Sequence, residues 1–234
     1  MYFPWVGLLE QVRLADVFVH YDDVQFARGF CNRVQVKAES GCRWITVPTR
    51  DRHRGQTIDE IAIDDRIDWR QQHRDVLRQA YLNAPFRDDM LNLVDGVFNR
   101  PLDTLAEVSR ASILQLVEYF DLRGGTFVNS RDMHVGGSSS QRLLDIVLAL
   151  GGLTYITGHG ARNYLDHDLF ERAGVAVRYM KYQLIPYPQL HGPFTPYVTG
   201  LDLVANCGKD GHVVIKSSAI DWREFHGAGN VIVR

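Results

Sequence analysis

Apolar residues recur with two different periods along this chain, and the changes of period divide it into three stretches. In the first stretch, up to residue 64, apolar residues alternate with polar ones or form short runs, a pattern typical of strands. A helix in VGLLEQVRLAD begins this stretch. We predict that strands follow in DVFV, VQVK, RWITVPT and IDEIAI, and that the strictly alternating IDEIAI is half-buried.

The second stretch, residues 65–123, has a helical period throughout. It contains three amphipathic segments, DWRQQHRDVLRQAY, DDMLNLVDGVFN and LDTLAEVSRASILQLVEYF, which are separated by prolines. In the first segment Trp69, His73 and Ala80 recur at helical spacing, so they should share one buried face. The pattern therefore predicts a helical insertion.

The third stretch returns to strands that alternate with helices. TFVNS, TYITG and VAVRYMKY predict strands, and SSSQRLLDIVLALGG and DHDLFERAG predict helices between them. This β-α-β-α-β order favours parallel strands joined by helical crossovers. The proline-rich YPQLHGPFTPY predicts an extended loop, and VTGLDLVANCG predicts a short helix.

Together these patterns predict an α/β protein with a Rossmann-like, mostly parallel sheet. Its core comprises residues 1–64 and 124–208, its helical insertion residues 65–123, and its C-terminal tail residues 209–234. The apolar start, Tyr2 to Trp5, is typical of a buried loop rather than a frayed terminus. We therefore expect a further segment before it.

Composition narrows the function classes. The chain has 234 residues and a formal net charge of −2, which argues against general nucleic-acid binding but allows a local basic patch. No apolar run approaches the roughly 20 residues that cross a bilayer. The three cysteines have no CxxC spacing, so neither a disulfide framework nor a zinc site is indicated. We expect a reduced, cytoplasmic protein without a bound metal.

The segment YDDVQFARGFCNRVQVK carries more polar chemistry than a connecting loop requires, and it directly follows the buried strand DVFV. Its candidate site residues are Asp22, Asp23, Gln25, Asn32 and Arg33. A carboxylate beyond a strand can bind a hydroxyl or act as a base, and an arginine can hold a phosphate in bidentate fashion. The alternative is a solvated loop in which Asp22 and Arg33 pair on the surface.

A second polar segment, GHGARNY, follows the strand TYITG. Glycines let a ligand approach the backbone closely, and the N–H groups of such a turn can hold an anion. His159 is a candidate general acid or base, and Arg162 and Tyr164 are candidate ligands of a phosphate or nucleotide. The alternative is a glycine turn with a solvent-exposed histidine.

The order of these motifs resembles the WbqC-like family. The resemblance rests on YFPW, DVFVHYDDVQF, NR, WITVP, the tryptophan–histidine helix, YITGHGARNYLD and DLVANCG, and it extends from Tyr2 to about Gly208. Two differences stand out. The family usually has a short strand and a His-Gln-Pro-like turn before Tyr-Phe-Pro, and it tends to have an aromatic residue and a glutamine where this chain has Phe30 and Cys31.

The resemblance implies a place in bacterial O-antigen, other surface-polysaccharide or natural-product biosynthesis. The family's opening is similar to nucleotidyltransferase-like (HUP-like) Rossmann enzymes such as pantothenate synthetases. A transferase with a nucleotide, CoA or carrier-bound donor and a small-molecule or nucleotide-linked substrate is therefore expected. The alternative is a non-catalytic binding or scaffold subunit, and a homo-oligomer or a complex with a pathway enzyme fits either.

Two geometric predictions follow from this interpretation. Because the carboxyl ends of parallel strands meet at one edge of a sheet, Asp22 or Asp23 should line one cleft with His159 or Arg162. In addition, if the family's first strand is missing, the strand DVFV should have an open edge that a partner chain or the tail could cover.

Overall fold

A computed structural model describes residues 1–27, 29–122 and 125–227. The α-helices are α1 (Val6–Leu14), α2 (Trp69–Ala80), α3 (Arg87–Phe98), α4 (Leu105–Tyr119), α5 (Ser139–Ala149), α6 (His167–Arg172), α7 (Gly200–Cys207) and α8 (Trp222–Gly227). The strands are β1 (Val17–His20), β2 (Arg33–Ala38), β3 (Gly41–Thr46), β4 (Thr126–Asn129), β5 (Thr154–Thr157), β6 (Ala176–Lys181) and β7 (Ser218–Asp221). Short 3₁₀ helices connect several of them.

The helical stretch has the structure that its period predicts. Helix α2 buries Trp69, His73, Leu77 and Ala80 on one face, and the Asp68 side chain caps its first turn. Helix α4 begins with a reciprocal pair of bonds between Thr104 and Glu107, a capping box. Within the described ranges, no helix is both long and apolar enough to cross a membrane.

In the part of the chain that the structure describes, the strands lie in three small sheets rather than in one mostly parallel sheet. Strands β1 and β4 pair in parallel, as do β5 and β6, while β7 joins β6 antiparallel. Strands β2 and β3 form a separate antiparallel hairpin. Because helices alternate with strands and two of the strand pairs are parallel, the predicted α/β class is confirmed.

The prediction of a strand in IDEIAI is wrong. Residues Ile58–Glu60 form a 3₁₀ helix whose first turn is closed by bonds between Thr57 and Glu60. Beyond it, Ala62 and Ile63 make only isolated bridges, to Thr104 and Thr49. The Thr-x-x-Glu cap gives the backbone N–H groups a local partner, and this outweighs the alternation of the isoleucines.

The tail contains more structure than the sequence patterns indicated. Strand β7 extends the β5–β6 sheet, and α8 follows it at once. The aromatic residues Trp222 and Phe225 of α8 pack against the apolar cluster around Tyr179. The glycine-containing end of the tail, residues 228–234, lies outside the described residues.

Among the described residues, buried apolar side chains form two clusters. The larger one joins the three central helices to the β2–β3 hairpin, α1 and α7, and the smaller one lies between α5, α6 and β6. The apolar start packs into the larger cluster: Phe3 is fully buried, and its backbone N–H donates to Ser112 Oγ at 2.8 Å. The prediction of a buried loop at this end is confirmed for Phe3.

The edge of β1 away from β4 has no strand partner among the described residues. The predicted open edge beside DVFV is therefore present. Strand β5 also has an edge without a strand partner among the described residues, and there Gln11 Nε2 of α1 donates to the Ile156 carbonyl at 3.1 Å. Such an edge exposes unpaired backbone groups unless other groups satisfy them.

Candidate functional site

Polar side chains converge where β1 and β4 end. The two strands run parallel and in register, with His20 opposite Asn129. The residues that follow, Asp22 and Asp23 after β1 and Ser130 after β4, are therefore brought to the same end of the pair. The carboxyl ends of parallel strands are the usual ligand site of open α/β sheets.

Asp22 is held by an arginine of the helical stretch. Arg110 of α4 donates from Nε and Nη2 to the two carboxylate oxygens, at 2.7 and 2.6 Å. This bidentate pair raises the pKa of the Arg110 guanidinium. The proposed surface pairing of Asp22 with Arg33 is therefore wrong, because Asp22 is buried and its partner is Arg110.

Asp23 is held by an arginine of α5. Arg142 Nη2 donates to Asp23 Oδ2 at 2.5 Å, and the Ser130 hydroxyl donates to Oδ1 at 2.5 Å. Burial alone would raise the pKa of the Asp23 carboxyl, but these hydrogen bonds outweigh it and lower the pKa below its ordinary value. Asp23 is therefore a fixed anion at neutral pH.

A third pair, Asp59 with Arg131, adjoins the first two. Arg131 donates to the Asp59 carboxylate twice, from Nε to Oδ2 and from Nη2 to Oδ1, the second bond at 2.9 Å. The segments also join through the backbone, because Asp59 N–H donates to the Asp22 carbonyl at 3.0 Å. We call these three ion pairs, 22–110, 23–142 and 59–131, the Asp–Arg cluster.

His20 lies beside the Asp–Arg cluster at the end of β1. It is buried, and its ring stacks on Phe127 with centroids 5.6 Å apart. Burial, followed by the nearby Arg110 charge, lowers its pKa to about 4. His20 is therefore neutral at physiological pH. His20 was not among the predicted site residues. Its position as the polar residue that directly ends the apolar run DVFV could have identified it.

Three predicted site residues lie along the β2–β3 hairpin and its approach. Asn32 Nδ2 donates to the Val47 carbonyl at 3.0 Å, so this amide fixes the base of the hairpin. The Arg33 guanidinium stacks over the Trp44 ring, 4.5 Å from its centroid. Gln25 forms an isolated backbone bridge with Thr57 and is exposed.

The second predicted group lies around β5, β6 and α8. His159 is exposed, and its Nε2 lies 2.7 Å from the Met180 carbonyl. Because a carbonyl only accepts, Nε2 carries the proton and Nδ1 is the basic nitrogen. The His159 ring lies 4.8 Å from the Phe225 ring, and the Arg162 guanidinium lies 5.9 Å from it.

Tyr164 ends the second predicted segment and lies against helix α5. The Tyr164 side chain is 58% exposed, and burial of the remainder, followed by the nearby Tyr21 hydroxyl, raises its pKa. Tyr21 in turn lies under the Arg142 guanidinium, 5.1 Å from the ring centroid. The Ser140 hydroxyl donates to the Tyr164 carbonyl at 3.4 Å, so Tyr164 lies beside α5, the helix of Arg142, whereas His159 and Arg162 face α8.

The arrangement can be compared with known proteins. The model of the WbqC-like protein family matches residues 1–213, nearly the whole chain. The chain belongs to the WbqC-like family. This confirms the resemblance carried by the sequence motifs from Tyr2 to about Gly208.

The WbqC-like chain is also similar to a mycobacterial protein, named "Uncharacterized protein Rv1507c", from Mycobacterium tuberculosis (strain ATCC 25618 / H37Rv). The two are 29% identical over 213 residues, which cover 89% of this chain and 91% of the relative. No solved structure matches the chain. The likeness therefore extends over almost the full length of both proteins.

The sequence of this WbqC-like chain did not identify the partners of its paired aspartates. Arg110 and Arg142 lie on helices, at positions surrounded by buried residues such as Ser109, Ala111 and Leu144. A charge on an otherwise buried helix face is the signal that marks such residues, because burial of a charge requires a partner. Which carboxylate each arginine pairs with depends on the packing of distant segments.

Proposed function

We propose that this WbqC-like protein is a transferase that tailors a sugar or small-metabolite intermediate in bacterial surface-polysaccharide or natural-product biosynthesis. The group transferred is an acyl, aminoacyl or nucleotidyl group. The observation that carries the proposal is the Asp–Arg cluster at the carboxyl ends of β1 and β4. A Rossmann-like, HUP-like ancestry of the parallel strands is part of the same proposal.

The arginines of the cluster are suited to an anionic substrate. A guanidinium has five N–H donors, and the bidentate pair with Asp22 uses two of those of Arg110. The remaining donors can bind a phosphate or carboxylate without breaking the ion pair. The pair with the carboxylate fixes the orientation of each guanidinium before the ligand arrives, which reduces the entropic cost of binding.

The predicted residues take distinct parts in this proposal. Proton transfer is assigned to Asp22, Asp23 and His159, the last through its Nδ1, and the lowered pKa of Asp23 keeps that carboxyl deprotonated, as a base must be. Substrate binding is assigned to Gln25, Asn32, Arg33, Arg162 and Tyr164. The donor is nucleotide-linked, CoA-linked or carrier-bound, and its phosphates would meet the arginines.

A ligand screen followed by two substitutions tests the proposal. Nucleotide sugars, CoA and ATP are screened for a shift in melting temperature, and the affinity of each hit is measured by calorimetry. Arg33→Lys and His159→Ala should each weaken the binding of a hit by about 1–3 kcal/mol, the scale of one charged hydrogen bond. Both side chains are exposed, so the melting temperature of the free protein should barely change.

Arg66→Lys is the matched control, because Arg66 is exposed and forms its own bidentate pair with Asp64 elsewhere on the surface. It should leave the affinity unchanged. A lower melting temperature in Arg33→Lys or His159→Ala, with unchanged affinity in the folded fraction, would contradict the proposed roles of these residues.

A non-catalytic binding or scaffold subunit is the second candidate. It is favoured by a cleft of about 510 Å³ that lies away from the Asp–Arg cluster, between the β2–β3 turn and the end of α2. Its walls include Glu39, Arg43, Leu82 and His191. If Leu82→Arg abolishes binding of a pathway enzyme while ligand binding at the cluster remains, the scaffold function is supported.

A further inference from the structure

Two exposed aromatic residues lie side by side at the β2–β3 hairpin. The Phe30 side chain is 62% exposed and the Trp44 side chain 40% exposed, with ring centroids 5.8 Å apart and planes inclined by 50°. The Arg33 guanidinium covers one face of the Trp44 ring at 4.5 Å. Large exposed rings that touch each other commonly mark an interaction surface.

An arginine-rich loop accompanies this aromatic pair. Residues 50–54, RDRHR, are all exposed and contain three arginines against one aspartate. The chain as a whole has a formal net charge of −2, so the loop is a local excess of positive charge. The Arg52 guanidinium also lies 5.9 Å from the Phe26 ring, which repeats the pairing of arginine with an aromatic ring.

The hairpin and the loop are neighbours in the fold. Arg33 pairs with Thr46 in the hairpin register, and the chain reaches Arg50 four residues later. On the other side, Phe26 N–H donates to the Gln56 carbonyl just beyond the loop. We call Phe30, Arg33, Trp44, Arg50, Arg52 and Arg54 the aromatic–arginine surface.

We propose that the aromatic–arginine surface docks the protein onto an anionic membrane. Aromatic side chains partition into the headgroup region of a bilayer, and arginines near the surface are attracted to anionic lipid phosphates. Since no described helix can span a bilayer, this attachment is peripheral and reversible. The Phe30 and Trp44 rings and the arginine-rich loop are exposed, so the surface can meet a planar lipid interface.

Single-stranded nucleic acid fits this surface less well. Its recognition uses a basic groove with rings on which successive bases stack. The Phe30 and Trp44 rings are inclined to each other, and Arg33 already occupies one face of Trp44. These rings therefore offer no parallel-sided slot for a base.

Vesicle co-sedimentation tests the proposal. The full chain should sediment with phosphatidylcholine vesicles that contain phosphatidylglycerol and not with phosphatidylcholine vesicles alone, and added salt should weaken binding. Each arginine near a charged bilayer contributes about 1 kcal/mol, or about fivefold in affinity. The triple substitution Arg50→Gln, Arg52→Gln, Arg54→Gln should therefore weaken binding by about 100-fold. Phe30→Ala with Trp44→Ala should weaken it by about tenfold or more.

Two matched variants control for general effects. Arg78→Gln, Arg100→Gln and Arg172→Gln together remove the same charge from exposed positions outside this surface, and Leu153→Ala removes an apolar side chain that is 78% exposed. Both controls should bind vesicles like the unaltered protein. Melting temperatures verify that every variant is folded.

Three results would overturn the proposal. One is the absence of binding to the phosphatidylglycerol vesicles. Another is an equal loss of binding in the control triple variant, which would indicate a response to net charge alone. The third is binding of an oligonucleotide that depends on the surface residues while vesicle binding does not, which would assign the surface to nucleic acid.

Discussion

Acidification from neutral pH to about pH 4 should lower the free energy of unfolding by about 3 kcal/mol through the protonation of His73 alone. This histidine of α2 is only 6% exposed. Its Nδ1 lies 3.0 Å from the Tyr2 hydroxyl, and it also bonds to the backbone of Thr46. These contacts suit a neutral imidazole, and burial lowers the pKa from 6.5 to about 4.

The loss should occur between pH 6.5 and about 4, because there the unfolded histidine binds a proton and the folded one does not. Stability contributed by His73 is therefore complete above pH 6.5 and falls as the pH decreases through this window. His20, whose pKa is also about 4 in the folded protein, adds to the loss in the same window. The lowered pKa of Asp23 acts at more acidic pH, below the ordinary carboxyl value of 3.8.

Urea unfolding at a series of pH values measures this effect. The free energy of unfolding of the unaltered protein should decrease as the pH is lowered. The free energy of unfolding of His73→Gln should decrease less steeply, because this variant lacks the titrating ring. His53→Gln is the control, since His53 is exposed. Equal slopes in the unaltered protein and His73→Gln would contradict the assignment to His73.

The substitution Asp202→Leu should destabilise the protein by about 4 kcal/mol. The Asp202 carboxylate of α7 is buried and accepts hydrogen bonds from the Tyr81 hydroxyl at 3.0 Å and the Tyr187 hydroxyl at 2.8 Å. Gln189 Nε2 donates to it at 2.8 Å. A leucine leaves the two buried tyrosine hydroxyls without their acceptor, and each such group costs about 1–3 kcal/mol, whereas Gln189 Nε2 keeps its bond to the Thr195 carbonyl.

Two further variants separate lost hydrogen bonds from altered packing. Asp202→Asn keeps one acceptor oxygen and a similar shape, so its loss should be clearly smaller. In the Asp202→Leu background, adding Tyr81→Phe should recover part of the stability, because the unsatisfied hydroxyl is removed. If Tyr81→Phe lowers stability equally in both backgrounds, the hydroxyl does not depend on Asp202.

Local patterns predicted much of the fold. The helical period predicted the buried face of α2, including Trp69 and His73. The residues of one helix face recur every three to four positions, so no information from distant segments is needed to find them. Short apolar runs placed β1, β4, β5 and β6. The sheet arrangement could not be predicted in the same way, because strand pairing depends on contacts between distant segments.

The candidate site was predictable only in part. The concentration of polar residues after DVFV identified Asp22 and Asp23, but their partners Arg110 and Arg142 are 88 and 119 residues away. The pattern of a helix predicts that a charge is buried but not which carboxylate it meets. Ser130 gave no signal at all, since its burial follows from the pairing of β1 with β4.

The two consecutive aspartates also link two helices that are distant in the sequence. Asp22 pairs with Arg110 of α4 and Asp23 with Arg142 of α5, so a single peptide bond links the anchors of the two helices. A movement of α4 relative to α5 must therefore strain one of these ion pairs. Because an anion can use the remaining donors of Arg110 without breaking its pair with Asp22, occupancy of the site should leave this link between the two helices in place.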